Sequence, residues 1–279
     1  MNYFRVSLIG TGGYGESVVI QMGTNNWMVV DSCIDPISKE SVPLQYLKSQ
    51  GVNIASDVKL IVCSHWHNDH ILGIDKLFEE CKSASLAFAI TSDKKKFLEF
   101  IGLDSRKDKV LTGTSSTNIM SNCLEIAKNR KTPVKTVVQD RLLLNLKDDK
   151  HDIKVFALSP SDDMIAEFGA EISTLIKDYT PKSNQQIIVR SPNEKCVALQ
   201  ISVNGHTVIL GGDLETASDN RRGWLCILDH CDCIKNEKAS LFKIPHHGSE
   251  TAYEERVWRE LFNHEILVGQ LSPFFHGKE

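Results

Sequence analysis

The chain has 279 residues, 41 % apolar and 24 % charged, with a formal net charge of −4. This is ordinary globular composition. Its apolar runs are strand-sized, so no membrane span is expected, and the net charge gives no global pull toward nucleic acid. The opening Met1-Asn2-Tyr3-Phe4-Arg5 lacks a long apolar signal core, and eight scattered cysteines favour reduced thiols over a disulfide framework. A cytoplasmic setting is the expectation.

Strands are expected at 3–9, 17–22 and 26–31, with Gly23-Thr24-Asn25-Asn26 as a hairpin turn. A helix around 40–50 leads to a strand at 58–63. Ile71, Ile74, Leu77 and Phe78 recur at helical spacing. They predict a helix that starts just after a histidine-rich loop and points its N-terminus toward it. Residues 91–131 are less regular, and Thr112 to Asn118 reads as an exposed loop. Strands near 134–138, 142–146 and 153–158 precede a helix marked by Met164, Ile165, Phe168, Ile172, Leu175 and Ile176. Pro181 to Glu194 is polar and turn-rich, a candidate mobile flap. Asn204-Gly205 signals a hairpin between strands 196–203 and 206–211. A helix near 216–228, a strand at 240–245, a helix at 252–262 and a strand at 265–269 complete the chain. Periodicity alone supports a mixed α/β domain over 1–279, with a basic helical or loop insert around 91–131.

Ser64-His65-Trp66-His67-Asn68-Asp69-His70 places three imidazoles and a carboxylate directly after the apolar run Val58-Lys59-Leu60-Ile61-Val62. In extended chain His65 and His67 share one side, which suits one metal ion. A turn then lets Asp69 and His70 face a second ion. Imidazole and carboxylate are ligands of Zn²⁺ and of Mn²⁺ or Fe²⁺. The segment resembles the His-x-His-x-Asp-His signature of the metallo-β-lactamase superfamily. Met28-Val29-Val30-Asp31-Ser32 is similar to that family's early strand ending in aspartate, and Val208 to Glu215, with Gly211-Gly212-Asp213, to its strand-Gly-Asp element. Lys243-Ile244-Pro245-His246-His247-Gly248-Ser249 resembles the Pro-His-His-Gly-Ser block of the ComEC/Rec2-like hydrolases linked to DNA uptake, and Gly15-Glu16-Ser17 resembles their opening Gly-Asp-Ser strand.

The resemblance implies an αββα sandwich of two mixed sheets flanked by helices. It also implies two divalent cations, Zn²⁺ or Mn²⁺, on His65, His67, Asp69, His70, Asp213 and His247. Asp213 would bridge the ions, unless it serves only to cap a following helix. Asp31 would orient the loop from behind, Asp69 the nucleophile, and His246 would protonate the leaving group. Two departures leave the first ion short of ligands. Leu158-Ser159-Pro160-Ser161-Asp162 offers serine in place of a third histidine, with His151 nearby, and Gln270 replaces a last one, with His276 beyond it.

The implied activity is hydrolysis of a phosphodiester, with nucleic acid as substrate, by a metal-activated water. Residues 94–135 agree with this, holding ten Lys/Arg against four acids, although solvated helix faces explain the same charge. Hydrolysis of a small ester, lactone or nucleotide is the alternative on the same site. A binding or regulatory subunit with a residual metal site is a second. A protein partner or homo-oligomer is left open. His230-Cys231-Asp232-Cys233 has metal-binding residue types, but no second ligand pair sits at zinc-ribbon spacing, so no second metal site is expected.

Overall fold

The computed structural model describes residues 4–10, 15–91, 93–108, 116–178, 192–234 and 237–272. Two six-stranded mixed sheets lie face to face. The first runs in order β1 (Phe4–Gly10), β2 (Glu16–Met22), β3 (Trp27–Val30), β4 (Val58–Cys63), β5 (Ser85–Phe88), β6 (Lys135–Thr136). The second runs β12 (Val268–Gln270), β11 (Leu241–Lys243), β10 (His206–Leu210), β9 (Leu199–Val203), β8 (Asp152–Ala157), β7 (Leu142–Lys147).

Strand alternation explains the layering. Val18, Ile20, Met28, Val30, Leu60 and Val62 point one way and meet Val155, Leu199, Ile201, Val208 and Leu210 of the second sheet. Their neighbours Val19, Val29 and Ile61 point the other way into a helical layer. That layer holds α1 (Val42–Ser49), α4 (Ile74–Glu80), α5 (Lys94–Asp108), α6 (Ser116–Arg130) and α7 (Asp162–Asp178), beside the shorter α2 (Ile54–Asp57) and α3 (Asn68–Ile71). The central strands read as continuous apolar runs because both faces are covered. On the far side, α8 (Gly223–His230) and α9 (Glu255–Leu261) pack through Trp224, Ile227, Val257 and Leu261 onto Ile209 and Phe242. The αββα sandwich is therefore present. No helix among the described residues is long and apolar enough to cross a membrane.

Several elements differ from expectation. The helix after the histidine loop is broken into α3 and α4 at Leu72-Gly73, where Gly73 has φ 80°. A side chain there would also press on Ile34, with a Cβ 2.9 Å from its Cγ2. Ser116, Thr117 and Asn118 open α6 instead of forming a loop, while 112–115 lie outside the described residues. The expected helix at 216–228 begins only at Gly223, since Thr216 N–H is taken by Thr251 O at 2.8 Å. Strand β5 is only four residues long, Ser85–Phe88, too short a run for its periodicity to predict a strand. The proposed flap lies outside the described residues up to 191, and Pro192–Lys195 forms a 3₁₀ turn.

Candidate metal centre

The loop leaves β4 in extended form, so side chains alternate. His65 and His67 face the centre, while Trp66 faces away into Phe97, Phe100 and Phe168, with ring centroids 5.4, 6.2 and 6.2 Å distant. Asp31 fixes the loop from behind, with a left-handed φ of 61°. Its Oδ1 accepts Ser64 N–H at 2.6 Å, and its Oδ2 accepts Ser64 Oγ–H at 2.6 Å and His70 Nδ1–H at 2.8 Å. Ser64 Oγ has one proton, already given to Asp31, so at 3.0 Å it accepts from His65 Nδ1. One carboxylate thereby sets both tautomers and leaves the Nε2 atoms of His65 and His70 as the ligand nitrogens.

Asp69, His70, Asp213 and His247 each offer a donor atom within 4.8 Å of the others. Asp213 Oδ2 is the shared point, 3.3 Å from His70 Nε2, 3.7 Å from His247 Nε2 and 3.9 Å from His65 Nε2. Asp69 Oδ2 is 3.6 Å from His70 Nε2 and 3.8 Å from His247 Nε2. Nitrogen and oxygen donors about 2.0–2.1 Å from a tetrahedral Zn²⁺ stand roughly 3.3–3.4 Å apart, so this spacing fits a cation. His65 Nε2 and His67 Nδ1, 2.9 Å apart, form a second lobe beside it. His70 Nε2 and Asp213 Oδ1 are buried and make no hydrogen bond among the described residues. Buried polar atoms are rarely left so. The donor set fits a divalent metal.

The electrostatics match this crowding. Burial pushes the His65 and His67 imidazoles below their usual range. Burial also opposes charge on His70, but Asp213 and Asp31, one at each ring nitrogen, hold it well above. Against the desolvation of its carboxyl, Asp213 is held far below the carboxylate range by His70, His65 and Lys243. His247 and His70 likewise overcome burial and bring Asp69 down to about 2.

Residues not singled out in the sequence build the next layer. Lys243 is 1 % exposed, pairs with Glu16, donates to Gly212 O at 3.0 Å and lies 3.8 Å from Asp213 Oδ1. It holds Oδ1 rearward, which turns Oδ2 toward the imidazoles. Cys196 Sγ accepts Asp213 N–H at 3.1 Å and sits 3.6 Å from His65 Nδ1. Gly212, at φ 53°, admits this contact, since a Cβ there would lie 2.6 Å from that sulfur. Of these, Lys243, Glu16 and Gly212 carry a sequence signal, as members of the segments 243–249, 15–17 and 211–213, and Cys196 carries none.

Asp213 heads no helix among the described residues, which disposes of a capping role. His246 and His247 both have positive φ, 45° and 53°, a strained state common at functional sites. His247 Nδ1 is tied to Ser272 O at 2.9 Å, and its Nε2 faces the cluster. His246 stands outside the four-donor group, with Nδ1 2.9 Å from Glu215 Oε1 and Nε2 3.4 Å from Asn193 Nδ2. No substitute for the missing histidines appears among the described residues. His151 pairs with Asp148 at 3.1 Å and packs under Gly23. Ser159 Oγ donates to Cys196 O at 2.7 Å, Ser161 Oγ to Arg221 O at 2.6 Å, and Gln270 Nε2 to Val6 O at 3.3 Å. His276 lies outside the described residues.

The basic insert flanks the loop through the Trp66 aromatic contacts and Ser116 Oγ, which donates to Asn68 Oδ1 at 3.0 Å. Among the described residues of 94–135, Arg130 donates to Phe78 O at 2.7 Å, Lys135 to Leu143 O at 2.6 Å and Lys96 to Ser173 Oγ at 3.2 Å.

The family model described as Metallo-beta-lactamase superfamily matches residues 10–116. Over that stretch the chain is similar to the metallo-beta-lactamase superfamily. It spans Asp31 and the whole His65–His70 loop, and the observed sandwich is consistent with the metallo-beta-lactamase fold. No curated protein matches the chain. Among solved structures, the MIM-2 metallo-beta-lactamase is 15 % identical with a TM-score of 0.44, covering 92 % of this chain and 78 % of its own. MIM-1 from Novosphingobium pentaromativorans is 15 % identical with a TM-score of 0.42, covering 95 % and 82 %. The metallo-beta-lactamase fold protein YhfI from Bacillus subtilis is 17 % identical with a TM-score of 0.39, covering 86 % and 69 %.

Proposed function

We propose that this chain is a metal-dependent hydrolase that cleaves phosphodiesters, with nucleic acid as substrate. The observation that carries the reading is the convergence of Asp69, His70, Asp213 and His247, with Asp213 Oδ2 shared toward the His65–His67 lobe. Zn²⁺ or Mn²⁺ held there, as one ion or a pair, supplies Lewis-acid polarisation of a phosphoryl oxygen and lowers the pKa of water. The chain's own residues do the rest. Asp31 sets the imidazole tautomers, and Lys243 fixes the direction of Asp213. Asp69, on the loop and beside His247, orients the attacking water. Glu215 Oε1, 2.9 Å from His246 Nδ1, orients the ring that gives its proton to the leaving oxygen.

The phosphodiester and ComEC/Rec2-like parts of the proposal rest on the Pro245-His246-His247-Gly248-Ser249 block and on the basic helices beside the loop. Exposed Lys95, Lys128 and Lys131 remain available to phosphates. None of the eight cysteines is in a disulfide, which supports a reducing, cytoplasmic setting.

The test is a panel of single-stranded DNA, duplex DNA, RNA, bis(p-nitrophenyl) phosphate, an ester and a lactone, with Mn²⁺ or Zn²⁺. Nucleic acid should be cleaved, with turnover reduced at least about 100-fold by Asp213→Asn and about 100-fold or more by His246→Ala. Hydrolysis of only the ester or lactone would replace the phosphodiester reading. Retained binding of a partner without any turnover would make the chain a binding module.

A further inference from the structure

Cys231 and Cys233 follow the C-terminus of α8, with their Sγ atoms 3.3 Å apart. No ligand pair near them in sequence completes a metal site. The fold supplies one more donor from far away. Asp140, in the turn between β6 and β7 with a left-handed φ of 62°, lies with Oδ1 3.1 Å from Cys231 Sγ. The same oxygen accepts Asp232 N–H at 2.8 Å and Cys233 N–H at 2.9 Å, which fixes the two segments against each other. Two sulfurs and a carboxylate thus converge, each donor atom within 4.8 Å of the others.

We propose that Asp140, Cys231 and Cys233 form a second cation site, apart from the histidine centre, that takes a thiophilic divalent cation of the Zn²⁺ class. Magnitudes favour a cation over a disulfide. Two sulfurs about 2.3 Å from a tetrahedral Zn²⁺ are roughly 3.8 Å apart, so the pair need open by only about 0.5 Å. A disulfide at about 2.05 Å requires the sulfurs to close by over ~1 Å across a single intervening residue. Carboxylate with thiolates is also a donor set suited to Zn²⁺. Binding releases the two thiol protons to solvent, and the ion joins both sulfurs to a carboxylate oxygen. Such a site staples the β6–β7 turn to the end of α8 and contributes to folding, not to turnover.

The experiment is a Cd²⁺ titration of the full-length reduced chain, followed by the ultraviolet sulfur-to-cadmium charge-transfer band. Cys196 lies beside the histidine centre, so the reference chain carries Cys196→Ala. One equivalent of Cd²⁺ should raise the band, excess Zn²⁺ should remove it, and it should persist with Asp213→Asn added. Cys231→Ser/Cys233→Ser should abolish it. Asp140→Asn keeps an acceptor for the two N–H groups but loses the charge, and should weaken Cd²⁺ binding at least about tenfold. Circular dichroism and a thermal melt establish that each variant is folded. If the double variant does not fold, Cys233→Ser alone decides, because it leaves the buried Cys231 in place. No band in the reference chain, or an undiminished band in the serine variants, overturns the site.

Discussion

Lys243 is an ammonium group with almost no access to water, placed between Glu16 and Asp213. Desolvation opposes its charge, but the Glu16 and Asp213 carboxylates outweigh it and raise its pKa. A buried ion is tolerated only with such partners. Lys243→Met removes one partner, leaves Glu16 buried without its cation and frees the rear oxygen of Asp213. Urea unfolding of metal-free protein should show a loss of about 3–5 kcal/mol. Adding Glu16→Gln should restore part of it, since the uncompensated charge then disappears. Lys243→Arg should restore charge but not fit, because a planar guanidinium does not pack like an ammonium. A metal titration separates the two roles. Weakened binding in Lys243→Met, recovered in Lys243→Arg, shows that the charge positions Asp213. Unchanged binding confines Lys243 to stability.

At the scale of elements, the alternation His65–Trp66–His67 couples the centre to the helical layer. The residue between the two imidazoles is the one wedged among Phe97, Phe100 and Phe168. Trp66→Ala should cost toward the low end of the roughly 3–5 kcal/mol seen for buried aromatics, because Trp66 is only partly buried. Metal affinity should fall with it, though no ligand is touched. Parallel denaturant and metal titrations check this, and unaltered affinity would mean that Asp31 alone holds the loop. The same segment marks what local sequence reveals. Strand β4, the loop and the Asn204-Gly205 hairpin were legible because their signals are contiguous. The break at Leu72-Gly73 was not, since Gly73 takes φ 80° in close approach to Ile34 and Ser41 of another segment. Cys196 and Asn193 were invisible for a like reason. Their neighbours His65, Asp213 and His246 are remote in sequence, and a lone cysteine or asparagine has no period to betray it. The predicted helix at 216–228 overran because apolar spacing does not register the tertiary contacts of Thr216 and Glu215 with Thr251.

At the scale of the molecule, the centre is assembled from both sheets. His65, His67, Asp69 and His70 follow β4 of the first, while Asp213 follows β10 and His247 follows β11 of the second. A bound cation therefore adds a link between two layers already joined by apolar contact and by the Lys243–Glu16 pair, and it binds only the folded chain. At 100 times its dissociation constant such a ligand adds about 2.7 kcal/mol of stability. Chelation should then lower the urea midpoint of the metal-loaded protein by a corresponding amount, with the slope of the transition little changed. Two variants locate the ion that matters. In a Cys231→Ser/Cys233→Ser background, where only this centre can hold metal, His67→Ala leaves Asp69, His70, Asp213 and His247 intact, so it should retain about one metal ion per chain and most of the chelator-sensitive shift. Asp213→Asn removes the carboxylate common to both lobes and should lose both. Metal analysis beside the unfolding curves reads the two quantities separately. The reverse pattern, with the shift lost in His67→Ala and kept in Asp213→Asn, would place the resident cation on the imidazole lobe and not on the four-donor cluster.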